Sequence, residues 1–166
     1  MRYFLTQGLP KMLRGLWLGL LVLTLSACAT GQQLPIHSFE FHAATDSPDV
    51  EVLDYRYGDS MQPGVRASES DKRIGRVHMG GGVTGAMLRG DSLYVKWRIK
   101  STAQVYEDTV DLKKRMPRDI TDHRIYFVIK GSQLFVYLIT PEPNPPGWPT
   151  YTPPGHTHKK TLVLYP

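Results

Sequence analysis

From Ser92 to Lys100 the chain alternates Leu93, Val95, Trp97 and Ile99 with Ser92, Tyr94, Lys96, Arg98 and Lys100. A period of two sends successive side chains to opposite faces of an extended strand, whereas a helix would scatter both sets around its axis. The segment is therefore a strand with one buried and one wet face, and the buried face demands a second layer to cover it. After a turn near Ser101-Thr102, Val105 to Leu112 can return as its antiparallel partner, with Glu107, Asp108 and Asp111 opposite the lysines and arginine. Cross-strand ion pairs of that kind contribute roughly 0.2–1 kcal/mol each.

The rest of the chain after about residue 35 carries the same signature. Ile36 to His42 places Phe39 and Phe41 two apart. Val50 to Tyr57 switches from Val50 and Val52 to Leu53, Tyr55 and Tyr57, which implies a bulge or a strand covered on both sides. Arg124 to Ile129 and Gln133 to Ile139 are rich in β-branched and aromatic residues, with Lys130-Gly131-Ser132 supplying the turn of a hairpin. Leu162 to Tyr165 makes a final strand. Helical periodicity is confined to a turn or two around Leu112 to Asp122, interrupted by Pro117. About seven short strands without helices predict an all-β domain over 36–166, an antiparallel β-sandwich or open barrel with long Pro/Gly-rich loops. Those loops are Gly58 to Arg73, Gly75 to Gly90 and Pro141 to His158, the last holding seven prolines.

The N-terminal part is of a different kind. Arg2, Lys11 and Arg14 precede an apolar run from Leu16 to Leu25, which ends in Leu25-Ser26-Ala27-Cys28. That run is too short to span a hydrocarbon core of roughly 30 Å, so it has the layout of a signal peptide and not of a membrane helix. Leu25-Ser26-Ala27-Cys28 resembles the lipobox of bacterial lipoproteins. The resemblance implies cleavage between Ala27 and Cys28, lipid attachment at Cys28, and residues 28–35 as a short lipidated tether. By the same resemblance Ala29, in place of Asp, implies the periplasmic face of the outer membrane. Met12 could serve as the start in place of Met1 without changing the mature product.

Removal of residues 1–27 would leave 139 of the 166 residues, with 17 Lys+Arg against 15 Asp+Glu. The near-neutral balance removes the main argument for nucleic-acid binding. Cys28 is the only cysteine, so no disulfide, cysteine nucleophile or thiolate metal site is expected once it is acylated.

No residue set assembles into a catalytic group. Gly90-Asp91-Ser92-Leu93 spells the tetrapeptide of the GDSL esterases, but it precedes the best amphipathic strand and lacks the helices that fold requires. Asp119, Asp122 and His123 suit a hydrogen-bonded corner after a proline. Gly80 to Gly82 lacks the following Gly-Lys-Ser/Thr of a phosphate loop. His156 and His158 could face a metal together, but no acidic or cysteine ligand lies near them in sequence, so solvated loop histidines are expected, with neither metal nor cofactor. Lys113, Lys114, Arg115 and Arg118 form a small basic patch. The Pro-rich segment, with Trp148, Tyr151, His156 and His158, has two readings: a partner-binding loop with aromatic anchors, or a cover over a sheet edge.

The blocks Leu93 to Arg98, Val105 to Leu112 and Ile120 to Phe127 are similar to those of small proteobacterial lipoproteins, over roughly Leu88 to Pro166. Some such lipoproteins are immunity proteins beside lipase effectors of type VI secretion systems. The anchor, the all-β pattern and the lack of a coherent catalytic set lead to a lipid-anchored, non-enzymatic periplasmic binder of a protein partner. The resemblance implies that this partner is a secreted effector that it neutralises. The alternative is a structural or assembly lipoprotein of the envelope.

Overall fold

Among the described residues eight strands form two sheets: β1 (Ile36–Phe41), β2 (Val50–Tyr57), β3 (Gly81–Ala86), β4 (Ser92–Ile99), β5 (Val105–Asp111), β6 (Arg124–Lys130), β7 (Gln133–Pro143) and β8 (Lys159–Tyr165). The computed structural model describes residues 34–148, 153 and 155–166. The expected signal peptide with Ala27 and Cys28, and Tyr151 of the Pro-rich segment, lie outside the described residues. One sheet runs β3-β1-β6-β7-β8 and the other β2-β4-β5. The result is an all-β, sandwich-like fold. Among the described residues no helix is long and apolar enough to cross a membrane.

The Ser92 alternation drives the smaller sheet. Leu93, Val95 and Trp97 are buried, while Tyr94, Lys96 and Arg98 are half-exposed on the other face. β5 returns antiparallel with Lys96 opposite Glu107, and their side chains meet at 3.8 Å. Arg98 turns the other way, to Glu51 of β2, at 2.6 Å. On that side β2 carries the expected bulge, between Val52 and Asp54. The extra residue returns Tyr55 and Tyr57 to the same buried face as Val50 and Val52, so the switch in the sequence pattern is not a switch of environment.

The two sheets meet through aromatics. Phe39 of β1 stacks on Tyr57 of β2 with centroids 5.1 Å apart, and Phe41 meets Tyr55 of β2 edge-on at 4.9 Å. Trp97, fully buried, donates its indole N–H across the sandwich to the Gly131 carbonyl at 3.0 Å. That bond anchors the β6–β7 hairpin, whose turn needs Gly131 at φ +59.

Three expectations need correction. The Gly75 to Gly90 segment is not all loop: it contains β3, which the sequence hides because Gly81, Gly82 and Gly85 have no side chains to show a period. β1 and β6 pair in parallel, so the sheet is not purely antiparallel. Parallel partners lie far apart in sequence and leave no hairpin signal. Leu112 to Asp122 forms turns, with Met116 and Ile120 buried as plugs. Among the described residues the helices are instead α1 (Ala43–Asp46) and α2 (Glu69–Arg73), each about one turn and too short to carry a helical period.

Candidate functional site

In the larger sheet β6 and the middle of β7 are buried on both faces. In β6, Ile125, Phe127 and Ile129 enter the sandwich core, while Tyr126 and Val128 join Tyr137, Ile139 and Phe135 in a second cluster on the outer side. Strands buried on both faces read as unbroken apolar runs, which explains why β6 and β7 lack alternation.

A polar network lies over that outer cluster. The buried Tyr126 hydroxyl donates to Asp46 of α1, and the His156 ring meets the Tyr126 ring edge-on at 5.2 Å. Burial, reinforced by the Asp46 hydrogen bond, holds the Tyr126 phenol far above its usual range. Arg124 Nε lies 3.0 Å from Glu40 Oε1, and Arg124 Nη1 is 3.5 Å from His156 Nδ1. Burial first, and the Arg124 charge second, keep the His156 pKa below its usual value. The neutral imidazole can then accept at Nδ1.

Beside this network opens a cleft of about 470 Å³. Ser38, Arg124 and Ile139 border it from the sheet, and Gly155, His156, His158 and Lys159 from the Pro-rich segment. His156 and His158 therefore do share one wall. Trp148 does not line it: its indole N–H donates to the Thr161 carbonyl of β8 at 3.4 Å, and Lys160 Nζ sits 5.5 Å from the ring centroid. The described part of the Pro-rich segment thus divides between the two readings. Trp148 covers the edge strand β8, and the histidines face an open cleft.

The other sequence candidates resolve into structural parts. Ser92 opens β4 with Asp111 as its register partner, and its carbonyl accepts the Gly58 N–H at 2.8 Å. The Asp119 carboxylate accepts the Thr121 N–H at 2.9 Å, a bond that holds its pKa low, and His123 Nδ1 lies 2.7 Å from the Thr121 carbonyl. That is the expected corner. Arg115 of the basic run donates to the Leu164 carbonyl of β8 at 2.7 Å and lies over the Tyr165 ring, latching the last strand. Among the described residues no group of three or more His, Cys, Asp or Glu could hold a metal ion.

The feature that sequence reasoning missed is the outer edge of β3. Met87 N–H donates to the Pro35 carbonyl, which fixes the phase of the antiparallel β1–β3 ladder. Every second pair, Gly85, Val83 and Gly81, then turns its backbone groups toward β1. Ser38 N–H confirms the phase by pointing the opposite way, to the His123 carbonyl. Gly82, Thr84 and Ala86 therefore present their N–H and C=O groups outward, and all three residues are exposed. Two of its glycines are set by packing: a Cβ at Gly82 would meet Glu40 Cγ at 2.7 Å, and one at Gly81 would lie 3.1 Å from Phe41 and Tyr55, whereas one at Gly85 would meet nothing nearer than 3.9 Å. β3 carries no charge, proline or bulge, the usual protections of an edge. Only Val83 and Thr84, β-branched between glycines, hint at it in the sequence.

Comparison of the chain with family models, with curated proteins and with solved structures returns no match.

Proposed function

We infer that this chain is a lipid-anchored domain of the bacterial envelope, held at the periplasmic face of the outer membrane by Cys28, that acts by binding a protein partner and not by catalysis. The observation that carries the reading is the outer edge of β3. The outward donor–acceptor groups of Thr84 and Ala86, uncharged and flanked by small side chains, with those of Gly82 beside Gly64, suit the addition of a partner's extended strand. The cleft beside His156 and His158 supplies a second contact area on the same sheet. The partner class we propose is a secreted lipase effector, because the blocks from Leu93 to Phe127 resemble small proteobacterial lipoproteins, some of which are immunity proteins against such effectors.

Two experiments test the parts separately. Cys28→Ser abolishes membrane retention and acyl labelling if the anchor is as inferred, and leaves both unchanged if it is not. Capture with the tagged full-length chain in mild detergent, from its own strain with secreted effectors included, returns a stoichiometric lipase if the partner class is right. Recovery of secretion-apparatus or envelope-biogenesis components would replace that reading with an assembly role, and an empty capture would remove the binding function.

A further inference from the structure

A second site lies on the smaller sheet, with lining residues distinct from those of the His156 cleft. The segment Ser60 to His78 runs along the outer edge of β2, with Arg56 and Arg66 as a bridge pair. Tyr57 N–H donates to the Val65 carbonyl at 2.8 Å and Ala67 N–H to the Tyr55 carbonyl at 2.9 Å. These bonds bracket Arg56 and Arg66 as a non-hydrogen-bonded antiparallel pair, the arrangement that brings opposed side chains closest. Like charges directly opposite each other on a sheet are destabilising. Here neither is neutralised: among the described residues, neither arginine has an ion-pair partner.

Their actual contacts leave the guanidinium groups available. Arg66 donates through Nε to the Ser60 carbonyl at 3.0 Å, and Arg56 lies over the Tyr94 ring with Cζ 5.9 Å from its centroid. Both line a polar pocket of about 210 Å³ with Asp54, Glu69, Lys72 and Tyr94. The two carboxylates are held by Lys72, whose Nζ lies 3.5 Å from Asp54 and 2.5 Å from Glu69. Tyr94 turns its hydroxyl away, to Glu107. Three cations and two anions therefore share the pocket, with the unneutralised pair side by side.

We propose that Arg56 and Arg66 together bind a phosphoryl group in this pocket. One guanidinium fork satisfies both oxygens of a carboxylate, so a single carboxylate would leave the second arginine unmatched. A tetrahedral oxyanion offers oxygens to both forks at once and cancels their mutual repulsion. The pocket has room for more than the bare anion, so the group can arrive as free phosphate, as a phosphomonoester or as a phospholipid headgroup. The site is independent of the partner reading above.

The test uses the full-length chain in non-ionic detergent at low ionic strength, with calorimetric titration of inorganic phosphate and of glycerophosphoglycerol, a soluble headgroup diester. Saturable binding is expected, weakened at least tenfold in Arg56→Gln and in Arg66→Gln, and unchanged in the control Lys160→Gln. Tighter binding of phosphate identifies the free anion as the ligand, and tighter binding of the diester identifies the headgroup. Thermal denaturation gives a second readout that a merely structural arginine pair would not reproduce. Without phosphate each variant melts at or above the wild-type temperature because repulsion is relieved, and only the wild type gains stability when phosphate is added. No saturable binding of either probe by the wild type, or equal binding by Arg56→Gln and Arg66→Gln, overturns the proposal.

Discussion

The outer edges of β2 and β3 are treated in opposite ways. Along β2 the segment Ser60 to His78 adds backbone bonds at Tyr57, Tyr55 and Val52, and drives Val65 and Ala67 fully into the core. Along β3 no backbone hydrogen bond among the described residues reaches the outward groups of Gly82, Thr84 or Ala86, although Gly64 of the same segment packs against the Gly82 carbonyl. An edge covered by buried side chains belongs to the stability of the fold. An edge whose backbone groups have no partner is available for something else.

That contrast can be broken most severely at the β2 cover. Val65→Asp places an uncompensated charge in the core and is expected to cost on the order of 3–5 kcal/mol, read as a collapse of the urea midpoint. If the cover were merely draped over the edge, the midpoint would hardly move. Next in size is Val83→Pro, which deletes an N–H aimed at β1 and leaves a carbonyl there unmatched, for a loss of about 2–3 kcal/mol in the same assay. An unchanged midpoint would mean that the phase of the β1–β3 ladder is inverted.

Between the two edges lies a smaller coupling. His37 of β1 is buried, with Nδ1 3.1 Å from the Pro35 carbonyl and Nε2 3.1 Å from the Tyr57 hydroxyl of β2. Burial pushes the Tyr57 phenol up to about 12, so it stays protonated and can donate. Tyr57→Phe strands the imidazole nitrogen and is expected to cost about 1–2 kcal/mol by denaturant titration. The same histidine sets a pH dependence. Burial lowers the pKa of His37, and of His156, below the usual 6.5. The unfolded chain then binds protons more readily, so stability is complete above about pH 6.5 and falls as pH drops below it toward the folded-state values. Urea midpoints at pH 7.5 and pH 5 measure this, and a higher midpoint at pH 5 would contradict it.

The smallest effect on stability sharpens the contrast most. The Ala86 N–H points outward, so Ala86→Pro removes no ladder bond and is expected to shift stability by no more than about 0.5 kcal/mol. Partner capture should nevertheless be lost, because the added strand loses a donor and meets the proline ring. Retained capture would move the binding surface from β3 to the cleft at His156 and His158.

Much of the fold was legible wherever a strand has two unlike faces. β4 shows its buried side directly, and β2 betrays its bulge as a break in phase. The β6–β7 hairpin is legible through its turn glycine and its β-branched runs, although burial on both faces erases its alternation. β3 was not legible, because Gly81 and Gly82 answer to close packing against Glu40, Phe41 and Tyr55, and packing leaves no periodic trace. Among the site residues, the sequence singled out His156 and His158, and the fold brings them to one cleft. It singled out Trp148 equally, and the fold turns that ring onto β8. Arg56 and Arg66 drew no notice, being ordinary surface arginines until a bridge sets them face to face.

The sequence by itself determined the β character of the chain, the buried sets in β1, β2 and β4, and the corner at Asp119 to His123, because alternation, turn residues and local hydrogen bonds act over a few positions. Only the tertiary structure decided which edges are covered, that β1 lies parallel to β6, and that Arg56 meets Arg66. Those outcomes depend on contacts between segments distant along the chain, whose free energy exists only once both are in place.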